Sequence, residues 1–271
     1  MVDSVLDRTP SPAEFRLTYG DAPEQFADLR LPDTGGPFPA IAYIHGGFWR
    51  SQYDLQHAGH ICAALTAAGY ATWNIEYRRI GNDGGGWPGT FQDVAASIRH
   101  LLKIAPDYGI DPAKIGVAGH SAGGHLALWA SAIGRIPESS PIWSESLPLV
   151  CAISLAGVVD LRQAWRLKLS GGVVELLMGG SPEEVPDRYA AASPMELIPL
   201  GVPQLLVHGV NDEIVPFALS RAYLRAAQTV GDDAALLSLE QTGHFEVIDP
   251  ESSVWPGIES SIISRFQSVG K

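Results

Sequence analysis

The stretch Ile-Gly-Val-Ala-Gly-His-Ser-Ala-Gly, residues 115–123, decides how this chain is read. Ile115 to Ala118 is a short apolar run of the kind that fills a buried parallel strand. Gly119, His120, Ser121, Ala122 and Gly123 follow at once, and beyond them Ala122, Leu126, Trp129, Ala130 and Ile133 fall on one helical face. A G-x-S-x-G string between a strand and a helix predicts a turn so sharp that side chains at Gly119 and Gly123 would strike neighbouring backbone. Such a turn lifts Ser121 to a helix N-terminus, where free N–H groups and the positive end of the helix dipole favour a developing negative charge. Taken alone, the string also suits a serine that merely caps a helix.

Outward from this turn, short β-branched runs alternate with amphipathic helical patterns, which predicts an α/β chain with a mostly parallel sheet covered on both faces. Eight strands are expected: an opening hairpin of Glu14 to Tyr19 and Phe26 to Leu31, then Ala40 to Ile44, Ala71 to Glu76, Ile115 to Ala118, Val150 to Leu155, Gln204 to Val207 and Ala235 to Leu239. Helices are expected from Leu55 to Ala68, closed by Gly69, from Phe91 to Leu102, from Ala122 to Ile133, around Leu219 to Ala227, and from Val254 to Phe266. No repeat, linker or shift in composition marks a boundary, so residues 1–271 read as a single domain. The alternation breaks only at residues 157–200, where a helical piece (Asp160 to Leu169), a Gly-Gly pair and a Pro-rich stretch suggest a small cap insertion over a pocket.

Two further sites give Ser121 a chemical context. The strand Ala40 to Ile44 runs into His45, Gly46, Gly47, Phe48 and Trp49, and glycines there let backbone N–H groups face an oxygen unobstructed. With the N–H of Ala122, those of Gly46 or Gly47 would form an oxyanion hole, and Phe48 is a third candidate donor. His45 reads as a brace for this loop. Downstream, Asp212 follows the strand Gln204 to Val207, and His244 follows the strand Ala235 to Leu239. The order Ser121, Asp212, His244 supplies a hydroxyl, a base to deprotonate it, and a carboxylate to fix the tautomer of that base. Glu213 and Asp160 are weaker candidates for the acid, and Asp160 suits a helix cap. Phe48, Trp49 and His120 are the expected substrate contacts, and Trp87, Trp129 and Trp165 could also line a pocket. His57 and His60 lie three apart on a helix without a third ligand in recognised spacing, so no metal site is expected.

Composition narrows the partners. A formal net charge of −12 argues against nucleic acid, which is bound through clustered Lys and Arg. No apolar run is long enough to span a bilayer, and the N-terminal stretch lacks the pattern of a secretory signal, so a cytoplasmic location is expected. Two cysteines, Cys62 and Cys151, are expected as buried free thiols.

Taken together, HGGFW (45–49), GHSAGGHLAL (119–128), GVVDL (157–161), SPMEL (193–197), HGVNDEIVP (208–216) and GHF (243–245) resemble the esterase/lipase branch of the α/β hydrolases. Within it the chain is most similar to the kynurenine formamidase-like and small carboxylesterase enzymes, from about Ala40 onward. The resemblance implies the α/β-hydrolase fold, Ser121 as nucleophile, Asp212 and His244 as the rest of a triad, Gly46, Gly47 and Ala122 as oxyanion donors, and no cofactor. Phe48 departs from the three-glycine pattern of the hormone-sensitive lipases, which leaves the second oxyanion donor open. The implied reaction is hydrolysis of a small ester through an acyl-enzyme. The alternatives are an arylformamidase acting on an N-formyl aromatic amine, and a non-catalytic binding protein of the same fold. The expected partner is thus a small-molecule ester or amide, with no nucleic acid and no membrane; the oligomeric state stays open, a homodimer among the options.

Overall fold

The computed structural model describes residues 4–268. An antiparallel hairpin of β1 (Phe15–Thr18) and β2 (Phe26–Arg30) leads into β3 (Phe38–Ile44), α1 (Gly59–Ala67), β4 (Ala71–Ile75), α2 (Gly89–Ile104), β5 (Ile110–His120) and α3 (Ala122–Ser131). After β6 (Ala152–Leu155) come α4 (Leu161–Arg166), α5 (Leu169–Met178), α6 (Pro186–Ala192) and α7 (Pro194–Leu197). The chain then completes β7 (Gln204–Gly209), α8 (Ala218–Thr229), β8 (Ala234–Leu239) and α9 (Trp255–Gln267).

The strands form one eight-stranded sheet in the order β1-β2-β4-β3-β5-β6-β7-β8, parallel from β4 to β8. Side chains alternate between its faces, because successive Cβ atoms of a strand point opposite ways. In β3, Ala40, Ala42 and Ile44 join one apolar cluster with α2 and α3, while Ile41 and Tyr43 join another with α1 and α9. Burial on both faces is what makes these strands apolar throughout rather than alternating. Helix α3 is buried along almost its whole length, so each of Leu126 and Leu128 contributes about 1.5–3 kcal/mol relative to exposure. That packing anchors the helix whose first residue follows Ser121.

Order along the sheet also locates the site. From β3 the chain moves to β4 on one side and then to β5 on the other, and a crevice opens at the strand C-termini where such a reversal occurs. Ile44 at the end of β3 pairs with Gly119 near the end of β5, so the loop beginning at His45 and the turn at Ser121 are neighbours.

The main difference from expectation lies at residues 157–200, which hold four helices rather than one. Helices α6 and α7 each begin with proline, which is tolerated in the first turn because the N–H it lacks would have no helical partner there. None of the described helices is long and apolar enough to cross a membrane.

Candidate active site

At the end of β5 the backbone of Ser121 takes φ 55° and ψ −116°, a conformation that a non-glycine residue adopts only under constraint. The constraint comes from both sides: its N–H donates to the Leu155 carbonyl at 2.8 Å, and its carbonyl accepts from the His125 N–H at 3.1 Å. The flanking glycines are obligatory. A Cβ on Gly119 would lie 2.2 Å from the Gly123 carbonyl oxygen, and one on Gly123 would lie 1.9 Å from that of Ile44.

Beside this turn, Gly47 has φ 111°, Phe48 φ 51° and Trp49 φ 54°, so three successive residues of the glycine loop are left-handed. Gly46 lies so close that a Cβ there would come within 3.2 Å of Cβ of Ser121. The N–H groups of Gly47 and Phe48 make no hydrogen bond to another described residue. The N–H of Ala122, in the first turn of α3, has no carbonyl one turn back to receive it. His45 braces the loop from below, with Nδ1 2.7 Å from the Gly46 carbonyl and Nε2 3.1 Å from Glu76. Burial works against the charge of Glu76, but His45 and Arg79 outweigh it and hold the carboxyl below its ordinary value.

Asp212 and His244 arrive from β7 and β8. Oδ1 of Asp212 accepts from the N–H groups of Ile214 and Val215, each at 2.8 Å. Oδ2 accepts from Nδ1 of His244 at 2.6 Å, and Nε2 of His208, which donates to the Val215 carbonyl at 2.9 Å, lies 3.1 Å from the same oxygen. Burial opposes ionisation here, yet the bonds from His208 and His244 keep the carboxyl well below the usual carboxylate range. With Nδ1 of His244 donating to Asp212, its Nε2 is left as the basic nitrogen. Glu213 is exposed, and Asp160 caps α4 by accepting from the Gln163 N–H at 2.9 Å.

Ser121 and His244 line one pocket of about 130 Å³. No hydrogen bond joins the Ser121 hydroxyl to His244 among the described residues; such bonds are often long before substrate binds and tighten afterwards. Two more histidines face the pocket. His120 donates through Nε2 to the His244 carbonyl at 2.9 Å, and burial, with His244 nearby, pushes its pKa well below the ordinary value. Burial brings His57 down to about 3, so it too is neutral. Phe48, Tyr53, Phe245, Leu6 and Ile214 supply the apolar lining.

Several expectations need correction. Trp49 is fully buried and packs edge-on against His125 at 5.2 Å, so it is core and not a substrate contact. Trp87, Trp129 and Trp165 are also absent from the pocket wall. Nor does any lining residue come from 157–200. That stretch packs behind the nucleophile helix, its Ala191 and Ala192 carbonyls accepting from Trp129 Nε1 and His125 Nε2. The lining residues missed by sequence reasoning are Leu6, Tyr53, His57, Ile214 and Phe245. Ile214 and Phe245 stand within two residues of Asp212 and His244, a signal that was there to use; the others carry none.

The family model described as BD-FAE matches residues 27–226. Among curated proteins, the chain is 27% identical to Esterase LipC of Mycobacterium tuberculosis, over 86% of this chain and 60% of that protein. It is 28% identical to Esterase LipQ of the same organism, over 91% of this chain and 59% of that one. The chain therefore spans about 60% of the length of these relatives. Among solved structures it superposes on a truncated carbohydrate esterase from gut microbiota with a TM-score of 0.80, at 24% identity, covering 96% of this chain and all of that one. It superposes on Esterase B of Lactobacillus Rhamnosis, inhibited by a tributyrin phosphonate, with a TM-score of 0.82 at 22% identity, covering 97% and 87% of the two chains. These likenesses give the α/β-hydrolase fold.

Proposed function

The chain belongs to the BD-FAE family, and from that premise we propose that it is a serine hydrolase of small carboxylic esters. The carrying observation is the 2.6 Å bond between Asp212 and His244 at the rim of the pocket that Ser121 also lines. Sequence relatives named as esterases support an ester over the formamide of an aromatic amine.

In this reading the ester carbonyl lies over Ser121. The hydroxyl oxygen attacks the carbonyl carbon as its proton passes to Nε2 of His244, and Asp212 stabilises the imidazolium that forms. The carbonyl oxygen, now an anion, is received by the N–H of Ala122 and by those of Gly47 or Phe48, with Gly46 setting the close approach. One such donor is typically worth about 3 kcal/mol of transition-state stabilisation. The ester C–O bond then breaks, and His244 returns its proton to the departing alcohol. A water molecule, deprotonated by the same nitrogen, attacks the acyl-enzyme, releasing the acid and regenerating Ser121. With His120 and His57 neutral, the pocket presents no cation beside His244.

Both cysteines are free and buried, and burial pushes their thiols up to about 12, so neither serves as a nucleophile at neutral pH. Unpaired thiols also support a reducing, cytoplasmic setting. The test is turnover of p-nitrophenyl acetate and butyrate beside N-formylkynurenine. Ester cleavage with little or no formamide cleavage is expected; the reverse preference would overturn the reading.

A further inference from the structure

One wall of the pocket is supplied by a segment that no motif marks. The chain turns at residues 4–7, where the Asp7 N–H donates to the Ser4 carbonyl at 2.8 Å, and this turn carries Leu6 into the pocket beside Ser121, His244 and Phe245. The segment is fastened on both sides of Leu6. Val5 is 1% exposed and belongs to the apolar cluster of Ile61, Val247 and Ile248. The guanidinium of Arg8 pairs with Asp249 and Glu251, which lie a few residues beyond His244, and the Arg8 carbonyl lies 3.2 Å from Nε2 of His60 on α1. Leu6 itself is 42% exposed.

Leu6 is thus held at the wall of the pocket that Ser121 lines, by a buried residue before it and ion pairs after it. We infer that Leu6 is a specificity-determining residue which closes the pocket against long acyl chains, and that the Arg8 pairs with Asp249 and Glu251 hold it in place. The pocket is small, about 130 Å³, and Leu6 forms part of its wall, so an acyl chain that outgrows it must pass Leu6. The inference rests on the esterase reading above and adds the size of its acyl substrate.

The test is kcat/KM for p-nitrophenyl acetate, butyrate, hexanoate and octanoate with the native protein, Leu6→Ala, Leu6→Trp, Arg8→Ala and the exposed control Leu167→Ala. One or two methylenes in an apolar pocket change discrimination by about ten- to a hundredfold. The octanoate-to-acetate ratio should therefore rise at least about tenfold in Leu6→Ala, fall in Leu6→Trp, rise in Arg8→Ala and stay unchanged in Leu167→Ala. Melting temperatures near native, expected for an exposed side chain, keep the comparison among folded proteins. Unchanged chain-length profiles in both Leu6 variants would overturn the assignment while leaving the esterase reading intact. If the native protein cleaves none of the esters, the esterase reading fails and the assignment fails with it.

Discussion

His208 and His244 reach the same carboxylate oxygen: Oδ2 of Asp212 receives Nδ1 of His244 at 2.6 Å and Nε2 of His208 at 3.1 Å. His208 is fully buried, with Nδ1 2.7 Å from the Ser220 hydroxyl on α8 and Nε2 2.9 Å from the Val215 carbonyl, an acceptor that fixes Nε2 as the protonated nitrogen. Asp212 thus accepts from two N–H groups of its own loop and from His244, with the His208 N–H of β7 shared between its Oδ2 and the Val215 carbonyl. It keeps its charge despite burial.

This arrangement predicts a pH signature for His208→Leu. The folded carboxyl of Asp212 lies below its unfolded value, so its ionisation stabilises the fold above about pH 4. That stability drains away as the pH falls towards the lower folded value. Loss of the His208 donor raises the folded value and removes about 1.5–3 kcal/mol, the worth of a hydrogen bond to a charged group. Melting temperatures should show the variant less stable than native at pH 7, and the gap should narrow between about pH 5 and pH 2, down to the pH-independent cost of the Val215 carbonyl and Ser220 hydroxyl left without His208. A gap constant across that range would mean that His208 acts only by packing.

Replacing the acid separates it from its neighbour. Asp212→Asn should lower kcat by about 10³–10⁴-fold, because the amide no longer orients or stabilises the imidazolium of His244. Glu213→Gln, at an exposed position, should leave kcat within about twofold. Steady-state kinetics on a short ester decides between them.

Gly123→Ala tests the geometry of the turn. The new methyl would sit 1.9 Å from the Ile44 carbonyl oxygen, a backbone atom that cannot move aside without shifting β3. Overpacking of this kind costs about 3 kcal/mol or more, read as a fall of roughly 6–12 °C in melting temperature for a chain of this size. Gly257→Ala, where nothing lies within 4 Å, is the control and should melt near native.

Much of this was legible in the sequence, for physical reasons that differ by residue. Ser121, Asp212 and His244 each follow a strand, and a strand end fixes its loop to one edge of the sheet, so chain order points to one shared crevice; there Asp212 bonds His244, and Ser121 lines the same pocket as His244. Ser121 was further marked by glycines that sterics makes obligatory. An aromatic residue beside a glycine loop suits pocket and core equally, and Phe48 takes the pocket while Trp49 packs in the core against His125. Helices α6 and α7 were hidden by the prolines that start them. Leu6 and Tyr53 had no signal, since their role comes from where the surrounding chain docks. The break in alternation at 157–200 suggests a cover for the pocket, yet it says nothing about which side of α3 the stretch packs on.

The proposed chemistry turns on which atom attacks. Reaction with diethyl p-nitrophenyl phosphate, followed by mass spectrometry of the intact and digested protein, should place one diethylphosphoryl group on the peptide carrying Ser121. None should appear in Ser121→Ala, and labelling of His244→Ala should be slower by about a thousandfold or more. A label on another residue, or a labelling rate indifferent to His244, would contradict it.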